Sequence, residues 1–208
     1  MRAVISLFIM LASISLARAE PLTVDFGGQH YTLNFEDHAK LPDGRPGDGI
    51  AEFTLPGETV ENWSKLFAYH AYPEAGDDPV EAVKMLGKVV KENNKDANYA
   101  LIENEKTGEA IIDFLTWAPD SDIMEFNIFK YARAKNGPGL IALQFAQHIK
   151  LGELDVEGMR TLRAKSVEYM AATDIDLARD YFAAKLKKWS AAEPQSPATL
   201  SARAGAER

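Results

Sequence analysis

Four residues could carry chemistry if the strands that bear them pair in one register: Glu125, His148, Asp113 and Asn127. A carboxylate beside a histidine tunes a proton acceptor or forms half of a metal site. The chemistry would be that of a small hydrolase-like enzyme, with His148 as base oriented by Glu125, and with Asp113 and Asn127 positioning a small polar substrate. Asn136-Gly137 is the strongest short hairpin signal in the chain, and a two-residue turn there pairs Lys135 with Pro138. Glu125 then faces His148 and Phe129 faces Gln144 on one side of the sheet, while Ile128 faces Phe145 and Ala132 faces Ile141 on the other. If Trp117 faces Ile123 across Ala118 to Asp122, Asp113 comes opposite Asn127 and joins the row. A polar row on the less covered side of an antiparallel sheet also arises without any function.

A second set, Trp63, Tyr69, Trp117 and Phe129, could build an aromatic pocket that carries a small apolar ligand, which core packing explains at least as well. His70 sits in an aromatic strand and reads as a satisfied core residue, while His30 and His38 lie in or near the first hairpin. Asp77-Asp78 lacks the Gly and Glu spacing of a calcium loop and reads as a helix cap. Lys106-Thr107-Gly108 matches a triplet that penicillin-binding enzymes use beside Ser-x-x-Lys. No Ser-x-x-Lys follows residue 19, so a Gly-ended hairpin turn explains it. Asn62-Trp63-Ser64 matches the glycosylation pattern. Arg163 falls within a helical apolar stripe and should snorkel at an edge or pair with a sheet acid. The chain has no cysteine, which excludes disulfides, thiolate metal sites and a Cys nucleophile. Neither a metal nor a cofactor is expected.

The elements that must position these residues follow from period and punctuation. Leu22 to Phe26 and His30 to Phe35 read as strands around Gly27-Gly28-Gln29, Leu41 to Gly49 as loop, and Ile50 to Leu55 as strand. After Pro56-Gly57, Thr59 should cap a single helical turn through Asn62. From Ser64 a strand then buries both faces, with Leu66, Ala68, His70 and Tyr72 on one and Phe67, Tyr69 and Ala71 on the other. Asp78-Pro79-Val80-Glu81 has an N-cap acid, Pro at the first helical position and Glu at the third, so a helix starts at Pro79 and runs out near Asn93-Asn94. Asn98 to Asn104, Glu109 to Trp117, Asp122 to Ala134 and Leu140 to His148 form an antiparallel meander. After Gly152 the period returns to 3.6, with Val156, Met159, Leu162, Val167 and Met170 on one stripe. Ile175, Ala178, Phe182, Leu186 and Trp189 form another, and the two are separated at Thr173-Asp174.

Arg2, the apolar run from Ala3 to Leu16 and Ala17-Arg18-Ala19 have the layout of a secretory signal peptide over residues 1–19, so the expected location is periplasmic or secreted. Residues 20–190 should form one domain and 191–208 a disordered tail. The net charge is −8, and loss of Arg2 and Arg18 would make it more negative. That argues against a nucleic-acid partner, and no later stretch is long enough for a membrane span. The fold class is α+β: an antiparallel sheet of six to seven strands layered with helices. The order of elements from Ile50 to Trp189, with Pro56-Gly57-Glu58 and Trp63 after an early strand, resembles the PsbP/Mog1-like group. That resemblance implies an α/β/α sandwich and an accessory or partner-binding role without a shared active site, and it carries over no functional residue. The leading expectation is a secreted or periplasmic non-catalytic binding or accessory module whose protein or small-molecule partner is unknown.

Overall fold

A computed structural model describes residues 21–135 and 137–191. The expected signal peptide lies outside the described residues, and so does the expected tail apart from Ala191. Eight strands pair antiparallel throughout: β1 (Thr23–Phe26), β2 (Gln29–Lys40), β3 (Pro46–Thr54), β4 (Lys65–Tyr72), β5 (Tyr99–Asn104), β6 (Glu109–Trp117), β7 (Ile123–Arg133) and β8 (Leu140–Lys150). They form one open sheet in the order β1-β2-β3-β4-β8-β7-β6-β5. Three helices, α1 (Pro79–Asn93), α2 (Val156–Ala172) and α3 (Asp176–Ala191), complete the α+β fold.

The helices divide between the two faces. Val83 and Val90 of α1 are buried with Ile112, Phe129 and Ala142 on one face. On the other, Met170 of α2 and Ala178 and Phe182 of α3 are buried with Phe67, Tyr69, Ile128 and Phe145. Strand β4 serves both faces, as its alternation predicts: its six central residues are all buried. The first hairpin turns at Gly27-Gly28 with φ of 59° and 77°, a left-handed pair that glycine adopts without steric cost and that matches the strand twist. Helix α1 starts as its cap signal requires, with Asp78 Oδ1 accepting from the N–H of Val80 at 2.9 Å and of Glu81 at 3.3 Å. Glu81 itself accepts from Lys84.

Helices α2 and α3 meet at Thr173-Asp174, the expected break. Thr173 ends α2, and Asp174 Oδ1 accepts from the N–H of Asp176. Beneath that junction Lys130 is buried, and its ammonium donates to the carbonyls of Ala171 and Thr173 at 3.2 and 2.9 Å. Glu109 stands 3.3 Å away on β6. A cation at the C-terminus of a helix satisfies carbonyls that lack intrahelical partners and complements the helix dipole. Gly49 of β3 lets α3 approach closely, since a Cβ there would lie 2.9 Å from the Phe182 ring.

The structure corrects four expectations. The sheet has eight strands rather than six or seven. Residues 46–49, expected as loop, begin β3, because β2 extends to Lys40 and pairs it with Pro46 across a bulge; proline is tolerated at the first residue of a strand. Thr59 caps no helical turn: Thr59 and Asn62 exchange backbone hydrogen bonds across a tight turn instead. Finally, Trp117 faces Met124 and Asp113 faces Ile128, one residue away from the expected register. The β7–β8 register is as expected, with Glu125 opposite His148, Ile128 opposite Phe145 and Ala132 opposite Ile141. Asn136 lies outside the described residues, but Ala134 donates to Gly139 at 3.0 Å just inside the turn.

Candidate functional site

Three of the four polar residues named from sequence share the α1 face, and two more side chains join Asn127 and Glu125 in a hydrogen-bonded chain that ends beside His148. Buried His70 Nε2 lies 2.8 Å from Gln144 Oε1. Gln144 Nε2 donates to Asn127 Oδ1 at 2.9 Å, and Asn127 Nδ2 donates to Glu125 Oε1 at 2.7 Å. The other carboxylate oxygen of Glu125 is 3.4 Å from His148 Nε2. Because an amide oxygen only accepts, His70 donates through Nε2–H, and every bond from there points toward Glu125. Burial lowers the His70 pKa to about 4, so this imidazole is neutral at pH 7.

His148 is held on three sides. Its Nδ1 is 2.9 Å from the Trp63 carbonyl, and the Trp63 indole stacks on the ring at 3.8 Å between centroids. A carbonyl only accepts, so Nδ1 carries a proton and Nε2 is the nitrogen turned to Glu125. Nδ1 is thereby engaged and one ring face is covered, while Nε2 lies near the Glu125 carboxylate without a hydrogen bond to it. The arrangement fastens the Leu55–Ser64 connection to the sheet beside Leu66, Ala68 and Ala146.

Asp113 is not part of this row. The one-residue difference in register puts it on the α2 face, where its carboxylate is buried and bound side-on by Arg163, with Nε to Oδ1 at 2.6 Å and Nη2 to Oδ2 at 2.8 Å. Arg163 thus pairs with a sheet acid, one of the two roles expected of it. The aromatic four do not assemble either. Trp63 lies over His148 and Phe129 beside His70 on the α1 face. Tyr69 packs under Tyr181 of α3 on the opposite face, and Trp117 is exposed at the end of β6.

Two concave surfaces lie along α2, and no motif in the sequence marked them. The buried residues of α2 are Ser166 and Met170, both in its second half, while Val156 at its start is 69% exposed. The first half therefore packs less deeply than the second, through half-buried Met159 and Leu162 and the Arg163–Asp113 pair, and a cleft of about 460 Å³ opens on each side of it. One is walled by Leu115, Phe126 and Met159, with Asp113, Asp155, Arg160 and Arg163 as its charged groups. The other is floored by Phe26, Tyr31 and Phe145, with Lys65 and Lys165 as its charged groups. Leu154, in the connection before α2, lines both. Among the described residues no group of three or more metal-binding side chains is found.

The fold and these clefts define an α+β domain with an eight-stranded open antiparallel sheet and a concave surface along one helix. A family model matches residues 19–175, and the chain belongs to that family. The match thus spans the whole sheet with α1 and α2 and ends at Ile175, just before α3. Among curated proteins none matches the chain.

Proposed function

We propose that this protein is an exported, non-catalytic binding or accessory module whose binding surface is the pair of clefts along α2. The observation that carries the reading is the shallow packing of the first half of α2, which leaves two apolar-walled concavities of ligand size beside the helix; small-molecule sites generally enclose roughly 300–1,000 Å³. The commitment of His148 Nδ1 to the Trp63 carbonyl and of its ring face to the Trp63 indole, which ties a connection to the sheet, weighs against the alternative of a base in the polar row. The order of elements supports a PsbP/Mog1-like arrangement, a group of accessory and partner-binding domains. Export rests on Arg2, the apolar run from Ala3 to Leu16 and Ala17-Arg18-Ala19, and among the described residues no helix is long and apolar enough to cross a membrane.

Native mass spectrometry of the protein purified from its own host tests both halves of the proposal. The expected result is a chain beginning near Glu20 with a retained small molecule or a co-purifying partner chain. An intact residue 1–18 segment on the exported protein overturns the compartment. A bare chain from every fraction overturns the binding role.

A further inference from the structure

The two clefts have the same volume, but their chemistry differs. In the cleft beside β6 the charges balance: Asp113 and Asp155 oppose Arg160 and Arg163. In the cleft beside β1 and β8 the only charged side chains are Lys65 and Lys165, in a chain of net charge −8. The Lys65 ammonium donates to Gln29 Oε1 at 2.9 Å, which fixes it at the wall. Glu58, whose charge acts on the Tyr31 hydroxyl, does not line the cleft and is bound by the backbone and hydroxyl of Ser64. Ser166 is a second, independent feature. It is only 3% exposed, it lines this cleft, and among the described residues its hydroxyl has no hydrogen-bond partner, although no side-chain polar atom fully shut off from solvent lacks one. Its oxygen therefore opens to the cleft. Buried hydroxyls are almost always paired, and this one is placed to donate to a group that enters the cleft.

Below these polar groups lies an aromatic floor. The Phe26 and Phe145 rings are 4.7 Å apart and Phe26 meets Tyr169 edge-on at 6.1 Å, with Leu162 on the helix side. Two ammonium groups and one hydroxyl donor above an apolar floor match a molecule with a single anionic, hydrogen-bond-accepting head and an apolar body. Resting on the proposed binding role, we infer that the cleft formed by β1, β2, β4, β8 and α2 binds a small amphipathic carboxylate, its head between Lys65, Lys165 and the Ser166 hydroxyl and its body on Phe26, Phe145 and Tyr169.

Sodium decanoate, below its micelle concentration, is the probe, with decanol and decyltrimethylammonium as neutral and cationic matches of the same tail. Amide shifts in two-dimensional NMR locate binding and titration gives affinity. Decanoate is expected to shift Gly27, Gln147, Thr161 and Ser166. Lys165→Met, at an exposed position, should weaken it about tenfold, the loss of one charge-assisted contact, while melting at the wild-type temperature. Ser166→Ala should weaken it by a smaller factor without affecting decanol. Equal affinity for the three head groups, or no effect of Lys165→Met, overturns the carboxylate assignment and leaves the binding role standing, since the cleft would still take the tail. Absence of shifts at these amides with all three probes overturns the site itself, and the native mass measurement then decides the wider role separately.

Discussion

Burial holds the His70 imidazole neutral, and the sign of its effect on stability follows from that. Its folded pKa, about 4, lies below the ordinary histidine value of about 6.5. The unfolded chain therefore takes up a proton first as pH falls. The contribution of His70 is fully present above about pH 6.5 and is lost progressively down to about pH 4. Between pH 7 and pH 5 this amounts to about 2 kcal/mol. Denaturant titrations at the two pH values should show that slope in wild type and lose it in His70→Gln; equal slopes would mean that His70 takes up its proton as readily in the folded protein as in the unfolded chain. Asp113 behaves differently, because its carboxylate is buried while its partner Arg163 is 45% exposed. Arg163→Met strands the carboxylate, a change that costs about 3–5 kcal/mol when both partners are buried. Water reaching the vacated side should reduce this to about 2 kcal/mol, read as a lower denaturation midpoint. A double variant with Asp113→Asn should recover part of the loss, and a midpoint unchanged in Arg163→Met would show the pair to be a surface contact.

At the scale of elements, α1 is set by local signals and can be tested locally. Asp78 satisfies two first-turn N–H groups, so Asp78→Ala should lower stability by about 1 kcal/mol, and an unmoved midpoint would show that the helix does not rely on this cap. The same locality explains what could be read from sequence. The helix start is written in four consecutive residues, Asp78 to Glu81. The β7–β8 register is legible in the Asn136-Gly137 hairpin signal, which admits one pairing. The connection Ala118 to Asp122 has no such constraint. Its length left Trp117 free to face Ile123 or Met124, and the neighbouring Ile111, Ile112, Phe114 and Leu115 are apolar toward both faces, so the pattern could not choose. Because the strand period is two, that single residue moved Asp113 to the other side of the sheet. The α2 stripe failed for another reason. Its apolar spacing from Val156 to Met170 is regular, yet Met159 and Leu162 are only half-buried against the core and Met170 is fully buried, a difference that depends on where the Gly152 turn and the Lys130 cap place the helix. Lys130 and Ser166 gave no sequence signal, since a lysine in a strand and a serine in a helix become informative only when burial is known.

For the molecule as a whole, the uneven packing of α2 makes a claim about the distribution of stability. The central strands β4, β8 and β7 are buried on both faces and lie in the middle of the sheet, so their amides should open only with global unfolding. The second half of α2 is held by Met170, by the aromatic contact of Tyr169 with Phe26 and by Lys130 on its last carbonyls. The first half has clefts on both sides and begins after Gly152, whose φ of 84° places a glycine-favoured bend just before the helix. Few buried apolar contacts and clefts on both flanks are the physical marks of a segment that opens at low free energy. Native-state hydrogen exchange should therefore show residues 158–163 exchanging well before residues 166–172, and both before the central strands. Decanoate should raise protection in the first half of α2 and leave β4 unchanged, because a ligand stabilises the locally closed state by its own binding free energy. Uniform protection along α2 without ligand would mean that the helix opens as one unit with the core, and the clefts would then be rigid gaps in the packing rather than a surface that closes on an occupant.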